Sequence, residues 1–63
     1  MKKDQFYVGQ RVKQKDPDDN CMVYGHVISI DDHSILIKWN DISEPCEHFE
    51  NEYPEIEDGN PTN

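Results

Sequence analysis

Val23-Tyr24-Gly25-His26-Val27-Ile28-Ser29-Ile30, Asp31-Asp32-His33-Ser34, Ile35-Leu36-Ile37-Lys38-Trp39: the reading of these seventeen residues decides the fold. Ile35, Ile37 and Trp39 alternate with Leu36 and Lys38. That is the period of a strand with one buried face, not the 3.6-residue period of a helix. Residues 23–30 are rich in β-branched and aromatic side chains and predict a second strand. The polar link between them is short, and Asp tolerates turn conformations, so the two runs form a hairpin. Gly25 inside a strand pattern predicts a bulge or a sharp bend. Val27, Ile28 and Ile30 cannot all share one face of a regular strand, which asks for the same irregularity.

Outward from the hairpin, residues 7–14 predict a first strand entered through a turn at Gly9, and residues 16–20 a loop. Residues 40–45 are a second loop. Cys46-Glu47-His48-Phe49 alternates as a short fourth strand, with His48 at its surface or rim. Residues 50–53 make one helical turn that Pro54 stops, and Glu55-Ile56 closes as a last strand. The final seven residues, 57–63, hold no apolar side chain to offset the entropy of ordering and are expected to be a disordered acidic tail.

With 63 residues and 33% hydrophobic side chains the chain makes one domain with a thin core. Short strands in so little sequence cannot build two packed sheets. The expected fold is all-β, a small, strongly bent five-stranded barrel over residues 6–56. The order Gly9-x-x-Val12, an acidic Pro-containing loop, Gly25-x-Val27-x-x-Ile30, a two-acid turn, Ile35-x-Ile37-x-Trp39-x-Asp41, and His48 before Tyr53-Pro54-x-Ile56 resembles small SH3-like barrels. Tudor-like, chromo-barrel and KOW-type modules belong to that group, as do short bacterial and phage proteins. The likeness covers residues 7–56. It implies an SH3-like barrel, a scaffold that hosts many functions. The basic surface expected of nucleic-acid-binding KOW-type members is missing from the pattern.

Charge separates along the chain. All six Lys and Arg lie in the first forty residues, balanced there by six Asp; residues 41–58 carry eight carboxylates and no Lys or Arg, which sets the net charge of −8. Such a flank repels nucleic acid and attracts basic partners. Arg11, Lys13 and Lys15 alternate on one strand, but three cations against −8 are too few for useful phosphate affinity and are expected to offset nearby acids. Met1-Lys2-Lys3 is followed by Asp4-Gln5 rather than an apolar run, so no signal peptide is expected. The longest apolar run, Ile35-Leu36-Ile37, is far too short for a membrane span. Cys21 and Cys46 are expected as free, buried or half-buried thiols of a cytoplasmic protein.

Six aromatic residues suit either of two roles. In Tudor-like barrels aromatics at strand ends cage a methylated ammonium, and Asp41 on the rim would add attraction. Alternatively Trp39 and its neighbours are the core, which their continuity with Ile35 and Ile37 favours, leaving Tyr24 as the exposed exception. Cys46-x-His48, Cys21, His26 and His33 offer zinc-type ligands, but no Cys-x-x-Cys or paired-His spacing joins them, so no metal or other cofactor is expected. There is no phosphate loop, nucleophile elbow or isolated carboxylate pair, and a small barrel has little interior, so no enzyme is expected. What remains is a protein-binding module or accessory protein for a basic protein partner, without direct nucleic-acid or membrane binding, as monomer or weak homodimer. The expected binding residues are Tyr24, Trp39, Asp41, Glu44, Glu47, Glu50, Glu52 and Tyr53. The alternative is an acidic DNA mimic that blocks a nucleic-acid-binding enzyme or regulator.

Overall fold

The computed structural model describes residues 1–16, 18 and 20–60. A short 3₁₀ segment, η1 (Lys3–Gln5), precedes five strands: β1 (Arg11–Lys15), β2 (Met22–Ile30), β3 (Ser34–Trp39), β4 (Cys46–Phe49) and β5 (Ile56–Asp58). A second 3₁₀ segment, η2 (Glu50–Glu55), links β4 to β5. All pairings are antiparallel, in one sheet of order β4-β3-β2-β1-β5.

The hairpin of β2 and β3 forms as its sequence pattern predicts, but the bulge is not at Gly25. Gly25 stays in register, opposite both Val12 and Trp39. Glycine is required there because a Cβ would stand 2.5 Å from the Lys38 carbonyl oxygen and 2.9 Å from Trp39 Cε3. The register slips between Val27 and Ser29, so Ile28 is the extra residue. That slip resolves the spacing. Val27, opposite Ile37, and Ile30, opposite Ile35, now both face the core, while Ile28 is exposed. A regular strand would have turned one of the two outward.

Phe6, Val12, Val27, Ile35, Ile37, Trp39, Tyr53 and Ile56 make the core, with Ile30, Val23, Cys46 and Met1 packed at its margins. The first strand starts later than its pattern suggests. Tyr7-Val8-Gly9 forms a turn with Gly9 at φ +87°, a conformation that favours glycine. Buried Gln10 holds that turn, its Oε1 accepting the Tyr7 N–H at 3.1 Å.

The sheet does not close into the expected barrel. Among the described residues β4 and β5 are its two edges and do not pair with each other. They are nevertheless close, because η2 crosses between them in six residues, a rise of roughly 12 Å for a 3₁₀ helix. The opening is covered by η2 and by the amino terminus, whose ammonium donates to Tyr53 O at 2.8 Å and Ile56 O at 3.0 Å. Pro54 lies inside η2 rather than ending it. The expected tail is also shorter than its polarity suggests. Glu57 pairs with Lys13 and Asp58 with Val12 in β5, and the Gly59 N–H donates to Arg11 O at 2.8 Å. Backbone pairing along β1 orders them without any apolar side chain. The remaining tail positions, 61–63, lie outside the described residues, as do positions 17 and 19 of the loop after β1. Among the described residues no helix is long and apolar enough to cross a membrane.

Candidate functional site

At one end of the rolled sheet lies an open groove of about 260 Å³. Its apolar surface comes from Val23, Trp39, Ile42 and Cys46, and its carboxylates from Asp16, Asp18 and Asp41. Gln14, Lys15 and His48 complete the lining. The groove exists because β1, β3 and β4 all end here and the loops after β1 and β3 rise on either side. The Asp16–Asp18 side is shaped locally, the Asp16 carboxylate accepting the Asp18 N–H at 2.8 Å. The loop after β3 is held by Lys38, whose ammonium donates to Trp39 O at 2.7 Å and to Ile42 O.

Beneath the groove sits a chain of polar contacts. Trp39 Nε1–H donates to His48 Nε2 at 2.9 Å, and the rings meet edge to face at 5.7 Å. Because Nε2 accepts, the imidazole proton belongs on Nδ1, which faces Glu52 Oε1 at 3.3 Å. Glu52 Oε2 accepts the Phe49 N–H at 2.9 Å. His48 is therefore not a rim residue as its sequence position suggests. It is 9% exposed, and the buried indole N–H supplies the reason, since a desolvated donor needs an acceptor. With both ring nitrogens engaged, His48 is a structural link between β3, β4 and η2.

The predicted binding residues do not assemble into one site. Trp39 is 4% exposed and belongs to the core, and only Asp41 joins it at the groove. Tyr24 stands on the opposite face of the sheet, since its neighbours Gly25 and Val23 point inward; the Arg11 guanidinium lies over its ring at 4.4 Å. An aromatic cage shared by Tyr24 and Trp39 is therefore not formed. Glu44 and Glu50 are exposed and outside the groove. Glu47 accepts from Ser34 Oγ at 2.7 Å, on the side where Asp31, Asp32, His33 and Phe49 frame a second, acidic hollow. Glu52 is committed to His48 and Phe49.

Tyr53 is buried against Phe6, ring centroids 5.3 Å apart, and its hydroxyl has no hydrogen-bond partner. Burial first, then the charges of Glu50 and Glu52, raise its pKa above the usual tyrosine value. Cys21 is exposed rather than buried, Cys46 is half-buried, and both are free. Among the described residues no three His, Cys, Asp or Glu side chains converge as metal ligands.

Sequence reasoning missed Val23, Ile42, Asp16 and Asp18 as partners of Trp39 at the groove. Only the register, which carries the ends of β1 and β3 to one side, could have revealed them. The cations expected to offset nearby acids lie beside them without close contact: Lys13 is opposite Glu57 on β5, and Lys15 shares the groove with Asp16 and Asp18. Among the described residues no Lys or Arg lies within 4.0 Å of a carboxylate; the close contact of this kind is His48 Nδ1 to Glu52 Oε1, a hydrogen bond from the neutral ring. No family model, curated protein or solved structure matches this chain.

Proposed function

We propose that this chain is a small SH3-like, non-enzymatic protein-binding module that takes a basic segment of a partner protein in the groove over Trp39. The observation that carries the reading is the pairing of an apolar surface (Val23, Trp39, Ile42) with carboxylates on both sides (Asp18, Asp41). A lysine or arginine side chain has the matching chemistry: an apolar stem to lie along the groove and a charged head for its rim. The exposed acids Glu44, Glu47 and Glu50 would extend the same attraction beyond the groove. His48 is occupied on both nitrogens, which argues against a general base at this place.

The test is titration with an extended lysine- and arginine-rich peptide, followed by amide shifts and Trp39 fluorescence. Shifts at Val23, Asp41 and Ile42 that weaken with Asp18→Asn and Asp41→Asn support the reading. Shifts scattered over Glu44, Glu47 and Glu50 alone, or none, would remove the groove from it. Once a partner is in hand, displacement of the protein by duplex DNA would instead favour the DNA mimic.

A further inference from the structure

The three inner strands carry four cations, Arg11, Lys13, Lys15 and Lys38, and no carboxylate, in a chain with fourteen. Register places these cations together. Arg11 is opposite His26, which is opposite Lys38, so the three form one row across β1, β2 and β3. Lys13 is opposite Tyr24 in the next row, and Lys15 opposite Met22 beyond it. Val12, Gly25 and Ile37 point to the core, so their strand neighbours all face outward. Adjacent strands are roughly 4.8 Å apart and alternate residues on a strand roughly 6.7 Å, which sets these groups on a compact grid. Near its centre Arg11 lies over the Tyr24 ring. Glu57, opposite Lys13 on β5, is the carboxylate at the margin, and it makes no ion pair within 4.0 Å. Lys38 is turned to the carbonyls of Trp39 and Ile42, and Lys15 sits where the face meets the groove. Among the described residues Arg11, Lys13 and Lys15 thus make no ion pair within 4.0 Å, although Glu57 lies opposite Lys13 and Asp16 follows Lys15.

We infer that this outward face of β1–β3 binds single-stranded nucleic acid. The ligand must be anionic to match the cations, and it must offer flat faces to use the Arg11–Tyr24 stack. An extended phosphodiester strand with unpaired bases does both, whereas an acidic peptide supplies only the charge. The net charge of −8 does not forbid it, because most acids lie in the loops, β4 and η2, where repulsion beyond about 10 Å is screened at ordinary salt; Glu57 and Asp58 on β5 and Asp16 after β1 are the acids at the margin of the face. The inference does not rest on the groove, which lies at one end of the sheet and shares only Lys15 with this face.

The test uses a fluorescent single-stranded oligonucleotide of a dozen nucleotides, duplex DNA, and a labelled polyglutamate peptide of equal charge. Binding of the single strand is expected at about 50 mM salt, with three phosphate contacts giving a log–log salt slope of roughly −2, so about fifteen-fold weaker binding at about 200 mM. Amide shifts should fall on Lys13, Tyr24 and His26. Tyr24→Ala should weaken binding at least about fivefold through lost stacking, and Lys13→Glu should abolish it. Glu44→Gln with Glu50→Gln should leave it in place. No binding at low salt, shifts centred on the groove, or polyglutamate binding as tightly and without need of Tyr24 would each overturn the inference; the last would reassign the face to an acidic protein.

Discussion

The inner sheet and the arc that closes it are held by different physics. β1, β2 and β3 pair along their length over Val12, Val27, Ile35 and Ile37, all at most 1% exposed. The arc of β4, η2 and β5 adds Tyr53 and Ile56 to that core, but it carries six carboxylates and no Lys or Arg, and polar links tie it down. Those links are Met1 to Tyr53 and Ile56, Trp39 to His48 to Glu52, and Ser34 to Glu47. Apolar burial is cooperative and non-directional, whereas a polar link is lost when one partner moves. The difference locates the global stability in the inner sheet and the adjustable part in the arc.

The largest effect should come from the inner sheet. A side chain at Gly25 meets the Lys38 carbonyl and the Trp39 ring, neither of which can yield without moving β3. Gly25→Val should cost at least about 3 kcal/mol, a large share of the stability of so small a domain. Thermal unfolding by circular dichroism should then show no cooperative transition near the wild-type midpoint. A midpoint within a few degrees of wild type would mean that the inner sheet is not the rigid half of the comparison.

Next comes the strongest link of the arc. His48→Ala leaves the Trp39 indole N–H buried without an acceptor, at about 1–3 kcal/mol. For a domain of this size each kcal/mol lowers the midpoint by roughly 4–8 °C. His48→Gln, whose amide oxygen can accept, should recover part of the loss and keep the indole proton resonance shifted. Equal losses for Ala and Gln would show that shape, not the hydrogen bond, is what the position supplies.

These two positions also show what the sequence could and could not disclose. The alternation from Ile35 to Trp39 is legible because one continuous buried face imposes a period of two on neighbouring residues. The irregularity in β2 is legible as a conflict among Val27, Ile28 and Ile30, but its position is not; Gly25 suggests a bulge, while its constraint is the close approach of the Lys38 carbonyl and the Trp39 ring. His48 was misplaced because its partner is nine residues away and not even its cross-strand neighbour: the register sets His48 opposite Ile35, and the Trp39 ring meets it on the core face. Glu57 and Asp58 looked unstructured because an edge strand ordered by backbone pairing leaves no apolar trace. The unpaired basic face was hidden for a similar reason: net charge sums over the chain, whereas segregation depends on which side of the sheet each strand presents.

A smaller effect should appear in hydrogen exchange. The amides of β4 and β5 should exchange through local opening, with protection below that of Val27 and Ile37, which should need global unfolding. Removing the amino-terminal charge by acetylation should widen the gap by accelerating the η2 and β5 amides first. Uniform protection across all five strands would erase the distinction between sheet and arc.

The smallest effect at neutral pH is the most diagnostic of how the arc is built. Tyr53 contributes its ring to the core, yet its hydroxyl is buried without a partner. Tyr53→Phe keeps the contact with Phe6 and deletes the unsatisfied group, so stability at pH 7 should change by no more than about 1 kcal/mol, and in the stabilising direction. The pH profile then separates the two side chains. The folded-state pKa is raised by burial and by Glu50 and Glu52, so the folded protein prefers the protonated phenol. That preference contributes fully below the unfolded value near 10 and is lost as pH rises through the raised folded value. Wild type should therefore lose stability more steeply than Tyr53→Phe above about pH 10. Superimposable alkaline profiles would place the Tyr53 hydroxyl in water, and the arc would then be open at η2 rather than sealed over the core.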